Sequence, residues 1–383
     1  MSLEGDLTVR LAWDGRRVLR VDIASTRPLI AGRLVAGRSA ADAAAMLPRL
    51  YSICGRAQGA AARSALAAAA GEPTQPACAA HEDAVVLETI QEYLWRLSID
   101  WPRAMGRNPV PATVAAVRQH IGPALQAMNG TGGGAAAVDT GLGAALLALA
   151  DEHVYGEPVE AWLARTDAAA FDGWAAVGAT LPALLQRELT ATAPSLGRSA
   201  TMLMPPPCAA AIRDAVLPSL AGDPAFSQAP TWGGMTVETG ALARMRAEPV
   251  VAALAERDGH TVAVRMAARL VELAQLLLQL GRPEREGARA RRVDAFAVAA
   301  GEGVAAVETA RGLLLHRAVL ANGRVADYRI VAPTEWNFHP AGPLVQGLEG
   351  DEATDAARLE RNARLAVEAL DPCVACNIEI AHA

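Results

Sequence analysis

Lysine is missing from this chain, and all 35 of its cationic side chains are arginine. A Walker A phosphate loop needs a lysine, and Schiff-base catalysis needs one as nucleophile, so both are excluded. Aromatic residues make up only 4% of the chain, while alanine dominates. No uninterrupted apolar run reaches the ~20 residues of a bilayer span; "TGLGAALLALA" is among the longest, and no membrane span is expected. There is no basic excess either. The net charge is -6, which gives no reason to expect a nucleic-acid partner. Five scattered cysteines do not form a secreted disulfide framework. The opening "MSLEGDLTVRLAWDG" has early acids and no apolar h-region, so no secretory signal is expected and the expected compartment is cytoplasmic. Metal, thiol and carboxylate chemistry remain open.

What is present is organised simply. Two β-rich runs between residues 6 and 24 flank Asp14-Gly15, a hairpin signal. The pattern is helical over 39–70, with breaks near Pro48 and Cys54. Apolar residues recur at helical spacing over 82–97 and 265–280, the latter ended by Gly281 and Pro283. Further helices are predicted within 112–127, 135–150, 208–220 and 238–257. "NGTGGGAAA" (129–137) follows a helical stretch and reads as an inter-helix loop, not a phosphate loop. Strands return at 312–333, where Asn322-Gly323 is the strongest hairpin signal in the chain. There is no internal repeat and no long polar linker. The expected class is α+β, a single domain over 1–383 with a central helical bundle and β-hairpins near both ends.

The chemistry centres on cysteine. The chain closes on "ALDPCVACNIEIAHA", where Cys373 and Cys376 stand three apart. Such a pair can aim both sulfurs at one soft or borderline metal. One C-x-x-C alone is weak evidence, because a zinc knuckle uses two. A redox pair should open a helix after a strand, whereas this pair follows a helical stretch. Cys54, in "SICGRA", is a third candidate, with Gly55 permitting close backbone approach. Cys78 and Cys208 lie in bland, alanine-rich surroundings and read as structural thiols.

Several motifs, in order, resemble those of nickel–iron hydrogenase large subunits. The ending resembles their D-P-C-x-x-C terminus, and "SICGRA" their R-x-C-G-x-C motif. "VETARGLLLHRAVLANGRVADYRIVAPTEWNFHP" resembles their E-x-P-R-G segment, hairpin and V-P-[ST]-T-W-N segment. "LEGDLTVRL" and "VETGALARM" resemble two further segments. In that family four cysteines hold nickel, and the second of each pair also bridges to an iron carrying two cyanides and one carbon monoxide. The resemblance implies Cys54, Cys373 and Cys376 as metal ligands. It implies Arg311, beside Glu308, and Thr334, after Pro333, as cofactor-binding residues at the cyanides. Arg311 also has a plainer reading, as a salt bridge to Glu308 or another acid. Glu4 matches a relay glutamate.

The resemblance also breaks. The fourth cysteine is Ala57, and Ser52 replaces an arginine. Ala61 replaces a histidine, and Gly32 loosely falls where a magnesium-holding carboxylate is expected. Glu379 stands for the C-terminal histidine, with His382 three residues late. His316 and His339 read as core or surface residues. This combination resembles the HupK/HoxV type of hydrogenase accessory protein. It implies a non-enzymatic scaffold that transiently binds an Fe(CN)2(CO) unit, without nickel. The implied partners are the hydrogenase large subunit and iron-cofactor assembly proteins of the Hyp type. Three alternatives stand beside it: a divergent hydrogenase with an altered metal site, a metal-free assembly factor that mimics the large subunit, and a zinc site completed by Cys78, Cys208 or a histidine.

Overall fold

The structure is a computed structural model that describes residues 5–51, 53–128, 140–281 and 291–383. Glu4, Ser52, the 129–137 stretch and the side chain of Cys78 lie outside the described residues. Nine strands are described: β1 (Asp6–Trp13), β2 (Val18–Ser25), β3 (Met202–Leu203), β4 (Val237–Glu238), β5 (Val293–Ala299), β6 (Glu302–Thr309), β7 (Gly312–Ala321), β8 (Arg324–Val331) and β9 (Ala375–His382). They form a four-stranded antiparallel meander, β5-β6-β7-β8, a three-stranded sheet, β2-β1-β9, and a short pair, β3-β4. Among the described residues, most of the chain between β2 and β5 is helical, interrupted by β3 and β4.

Both anticipated hairpins form, each for a local reason. Asp14 Oδ1 accepts the N–H groups of Arg16 and Arg17 at 2.8 and 2.7 Å, an Asx turn that reverses the chain. At the second turn, Asn322 and Gly323 both have positive φ, 51° and 73°. That pairing matches the right-handed twist of the flanking strands.

Elsewhere the chain departs from its periodicity. The 208–220 stretch is two helices, Ala209–Ala215 and Leu217–Gly222, because Pro218 cannot continue the first. The 238–257 stretch begins at the end of β4, turns at Gly240 with φ 116°, and forms two helices, Ala241–Met245 and Pro249–Asp258. The β5–β6 hairpin has no counterpart in the sequence reading. Its alanines blur the alternation, and only Gly301, at φ 79°, marks the turn. Strand β9 also has none.

The Val262–Gly281 helix is buried along nearly its whole length and organises the largest apolar cluster. A second cluster joins the Gly55–Ala70 helix to one face of the meander. A third packs the helices over 209–222 against Val304, Leu313 and Leu315. The second contact is unusually close. A Cβ at Gly303 would lie 2.4 Å from both Ala65 O and Ala69 N. Ala57, Ala61, Ala62 and Ala65 bury their methyls there completely. The abundant alanine thus lets a helix lie almost directly on a sheet, and this contact fixes the N-terminal end of the helix, where Cys54 sits.

Strand β9 runs parallel to β1, with Leu7 opposite Cys376 and Arg10 opposite Glu379. The C-terminal cysteine segment is thereby held beside the N-terminal sheet.

Gly303→Val is expected to destabilise the protein by about 3 kcal/mol or more, because backbone, not a flexible side chain, blocks the new atoms. Urea unfolding measures this. A loss under ~1 kcal/mol would mean that helix and sheet are not in this close register.

Candidate functional site: a thiol pair with arginine donors

Cys54 is the N-cap residue of the Gly55–Ala70 helix. The helix end is closed by a carboxylate from elsewhere. Glu88 accepts the N–H groups of Arg56 and Ala57 at 2.8 and 3.0 Å. Anions belong at helix N-termini, so this pairing is favourable. Burial opposes it and pushes the Glu88 pKa up to about 7.

Cys373 follows a sharp turn. The Ala356–Leu370 helix ends at Asp371, which takes the left-handed conformation with φ 54°. Asp371 is a buried acid, and arginines surround it. Arg96 Nη2 lies at 2.8 Å and Arg311 Nε at 3.2 Å. Burial pushes its carboxyl pKa up, but the field of Arg311 and Arg96 outweighs this and holds it below its ordinary value. The turn places Cys373 against Thr334, near the start of the Pro333–Asn337 helix. The Cys373 sulfur and Thr334 Oγ1 are 3.2 Å apart, and the Cys373 N–H donates to the same hydroxyl at 3.3 Å. Arg27 approaches from the segment after β2, with Nη1 donating to the Cys373 sulfur at 3.1 Å and to Glu335 Oε1 at 3.3 Å.

The two thiols share one environment. Burial pushes the Cys54 thiol far above its ordinary pKa, the proximity of Cys373 and Glu88 pushes it further, and Arg311 and Arg27 oppose the rise. The sign matters. With no positively charged guest, Cys54 holds its proton; a metal would displace it. Behind Cys54 runs a polar chain. The Gln58 amide nitrogen is 3.8 Å from the sulfur, its oxygen is 2.9 Å from His316 Nε2, and His316 Nδ1 is 2.7 Å from the Tyr328 hydroxyl. With the Gln58 nitrogen on sulfur, its oxygen only accepts, so Nε2 carries the imidazole proton.

Arg311 does not pair with Glu308. Its Nη2 reaches Glu92 at 2.8 Å and its Nε faces Asp371. Glu308 instead binds Arg244 at 2.5 Å, in a separate buried cluster with Glu272, Arg292 and Tyr93. The reason is the meander: Glu308 lies on β6, whereas Arg311 lies in the turn that follows.

Cys376 stands apart from this pair. It lies on β9, half-buried, in a surface cleft of about 550 Å³ that Cys373, Glu368, Arg364 and Arg96 also line. Burial and Glu368 push its thiol up to about 11. Among the described residues no three histidine, cysteine or acidic side chains stand close enough together to hold a metal ion. The structure brings Cys54, Cys373, Arg311 and Thr334 together, leaves Cys376 beside them in the cleft, and directs Glu308 elsewhere.

The positions where the resemblance breaks are filled by packing. Ala57 and Ala61 are wholly buried against the meander. A Cβ at Gly32 would lie 2.4 Å from Tyr328 O, so no side chain fits there. Glu379 pairs with Arg10 on the surface at 2.8 Å, and His382 packs on Trp13 with ring centroids 5.2 Å apart. His339 accepts the Ala341 N–H in a loop. His316 is a core histidine, as read, yet it sits one hydrogen bond behind Gln58. Arg27, Gln58, Glu88 and Glu92 carried no motif signal. Asp371 did, as the Asp of D-P-C.

The profile of nickel-dependent hydrogenases matches residues 252–379. The hydrogenase expression/formation protein HoxV of Cupriavidus necator is 33% identical, over 98% of this chain and 98% of that protein. HupK of Bradyrhizobium diazoefficiens is 32% identical, over 99% and 97%. This chain belongs to the HoxV/HupK family of hydrogenase expression/formation proteins. The large chain of Escherichia coli hydrogenase-2 is 28% identical over a shorter stretch, 42% of this chain and 35% of that one. The nickel–iron–selenium hydrogenase of Desulfovibrio vulgaris Hildenborough superposes with a TM-score of 0.58 over 94% of each chain, at 16% identity. The HoxV/HupK chain therefore has the α+β fold of a hydrogenase large subunit. Among its described residues no single helix is long and apolar enough to cross a membrane.

The buried histidine makes a pH prediction. Burial depresses His316 from an ordinary 6.5 to about 3. Between those values the unfolded chain binds a proton that the folded chain refuses, so the His316 contribution to stability is complete above pH ~6.5 and shrinks as pH falls, by up to ~1.4 kcal/mol per unit. Glu88, raised from 4.5 to about 7, acts oppositely and loses stability as pH rises between those values. The difference between wild type and His316→Gln isolates the histidine. Wild type should lose stability relative to the variant on going from pH 6.5 to 4.5; parallel profiles would contradict a neutral buried imidazole.

Proposed function

We propose that this HoxV/HupK-type chain is a scaffold that takes up an iron fragment carrying two cyanides and one carbon monoxide. It hands the fragment to a hydrogenase large subunit and turns over no hydrogen itself. The observation that carries this reading is the Cys54–Cys373 pair, half-buried at Cys54 and buried at Cys373, with Arg311, Arg27 and Thr334 around it. Ferrous iron with two cyanides and one carbonyl has no net charge. Two thiolates then leave the loaded site doubly anionic; Arg311 and Arg27, although already paired with Glu92, Asp371 and Glu335, lie close enough to favour the thiolate forms. Cyanide nitrogens accept hydrogen bonds, and arginine and threonine offer donors.

Nickel is a different matter. In the related large subunits four thiols hold it, and here the position corresponding to one of them carries only the Ala57 methyl, which cannot coordinate. The large-subunit fold suits both ends of a handover, since a protein shaped like the recipient presents similar surfaces to whatever delivers the iron. Iron-cofactor assembly proteins of the Hyp type are the proposed donors and the large subunit the proposed recipient. The cytoplasm is where such machinery would meet.

Infrared spectroscopy of protein purified without oxygen, from cells that make the iron unit, tests the reading. Cyanide and carbonyl bands should be present in wild type and absent in Cys54→Ser and Cys373→Ser. They should be reduced in Cys376→Ser and unchanged in Cys208→Ser, whose thiol is exposed and remote. Wild-type protein without such bands, in cells whose hydrogenase matures, would favour a metal-free assembly factor. Nickel-dependent hydrogen turnover by the purified protein would overturn the non-enzymatic reading.

Arg311→Ala tests the donor set. It leaves Glu92 and the buried Asp371 short of a counter-charge, so it should cost roughly 3–5 kcal/mol of stability as well as iron retention. Chemical denaturation and iron content measure both losses. Full stability would show that the Asp371 turn does not depend on Arg311.

A further inference from the structure

A second cleft shares Arg27 with the thiol site, although neither cysteine lines it. It encloses about 590 Å³ between the Ala31–Val35 helix and β8, and its walls include Arg27, Leu29, Arg33, Tyr51, Arg329 and Glu335. Arg27 belongs to both places. From this cleft wall its Nη1 touches the Cys373 sulfur, while its guanidinium lies 5.8 Å from the centre of the Tyr51 ring. These contacts engage Nη1 alone, so among the described residues Nε and Nη2 have no protein acceptor. Both Arg27 and Glu335 keep 11% of their side-chain surface exposed, and the Arg27 charge acts on Cys54 as well as Cys373.

The charges of the cleft decide what fits. Arg27 is offset by Glu335, and Arg329 by Asp327 at 3.1 Å, which leaves Arg33 as the excess at the rim. A highly charged anion such as a phosphate ester finds little net attraction there. A small ligand of low charge with a strong terminal acceptor finds the N–H groups of Arg27 that no described residue accepts. The C-terminal cleft differs: the Arg96 guanidinium on its wall is already engaged by Asp100, Glu368 and Asp371, and Arg118 stacks on Trp95 at 4.8 Å.

We propose that the cleft between the Ala31–Val35 helix and β8 is a binding antechamber of the thiol site for cyanide-terminated ligands, with Arg27 as the donor that receives them and stands next to the Cys373 sulfur. The identity of the natural ligand as an iron–cyanide fragment rests on the scaffold reading above; the antechamber itself does not.

Thiocyanate probes the antechamber in the iron-free protein, because its C≡N stretch reports binding and hydrogen bonding directly. Wild type should bind it saturably with a shifted band. Arg27→Gln combined with Glu335→Gln removes the donor without leaving a buried lone charge, and should weaken binding at least tenfold, in line with loss of a charged hydrogen bond. Ala326→Trp, at the exposed mouth, should also weaken it, and the remote Arg16→Gln should not. Circular dichroism confirms that each variant is folded. No saturable binding by wild type, or equal affinity in the Arg27/Glu335 variant, would overturn the antechamber. If thiocyanate binds as described but no preparation ever carries iron, the scaffold reading fails while the antechamber stands. If the Ala326→Trp and Arg27/Glu335 variants load iron as fast as wild type, the cleft is not the path to the thiols.

Discussion

The site depends on one buried acid. Asp371 ends a helix in a left-handed conformation, holds two arginines, and turns the chain so that Cys373 meets Thr334. An unpaired buried carboxylate would cost several kcal/mol, and arginines fixed by other elements offset this. Arg96 comes from the segment after the Thr74–Trp95 helix, and Arg311 from the turn between β6 and β7. The meander, the helical layer and the chain end are thus tied at one point. A proline directly after Asp371 forbids the helix from continuing, so the charge pairing and the backbone constraint act together.

Around that point small side chains decide the packing. Ala57 and Ala61 let the Gly55–Ala70 helix settle on the meander, and Gly303 allows the approach. The same contact sets the position of Cys54 at the end of the helix. The result is a site with two adjacent thiols, strong donors and a high thiol pKa at Cys54. Under the proposed scaffold role, that combination would suit a guest that brings its own ligands, because such a guest needs few bonds from the protein. It also suits release, since protonation of a high-pKa thiol opposes retention.

Much of the frame was legible in the sequence. Asp14-Gly15 and Asn322-Gly323 announced their hairpins, and the 265–280 periodicity announced the central helix. The D-P-C ending and "SICGRA" pointed to Cys54, Cys373 and Cys376 as ligands; the folded chain sets the first two in one environment and leaves Cys376 in the neighbouring cleft. Other parts were not legible, for identifiable reasons. Strand β9 follows cysteines and owes its form to pairing with β1, a partner about 370 residues away that no local pattern reveals. Glu308 sits three residues from Arg311, yet strand geometry sends it to Arg244. Arg27 lies in a segment with no motif, and only the folded chain shows that its guanidinium touches a sulfur. His316 looked like an ordinary core residue, and it is one; its link to Cys54 through Gln58 exists only in three dimensions.

The central claim is that one iron atom sits between Cys54 and Cys373. X-ray absorption at the iron edge tests it most directly, on protein purified without oxygen from cells that make the iron unit. The account predicts short iron–carbon scattering from cyanide and carbonyl, together with sulfur scattering that falls when either cysteine becomes serine. Iron surrounded only by oxygen and nitrogen, or sulfur scattering indifferent to both substitutions, would contradict it.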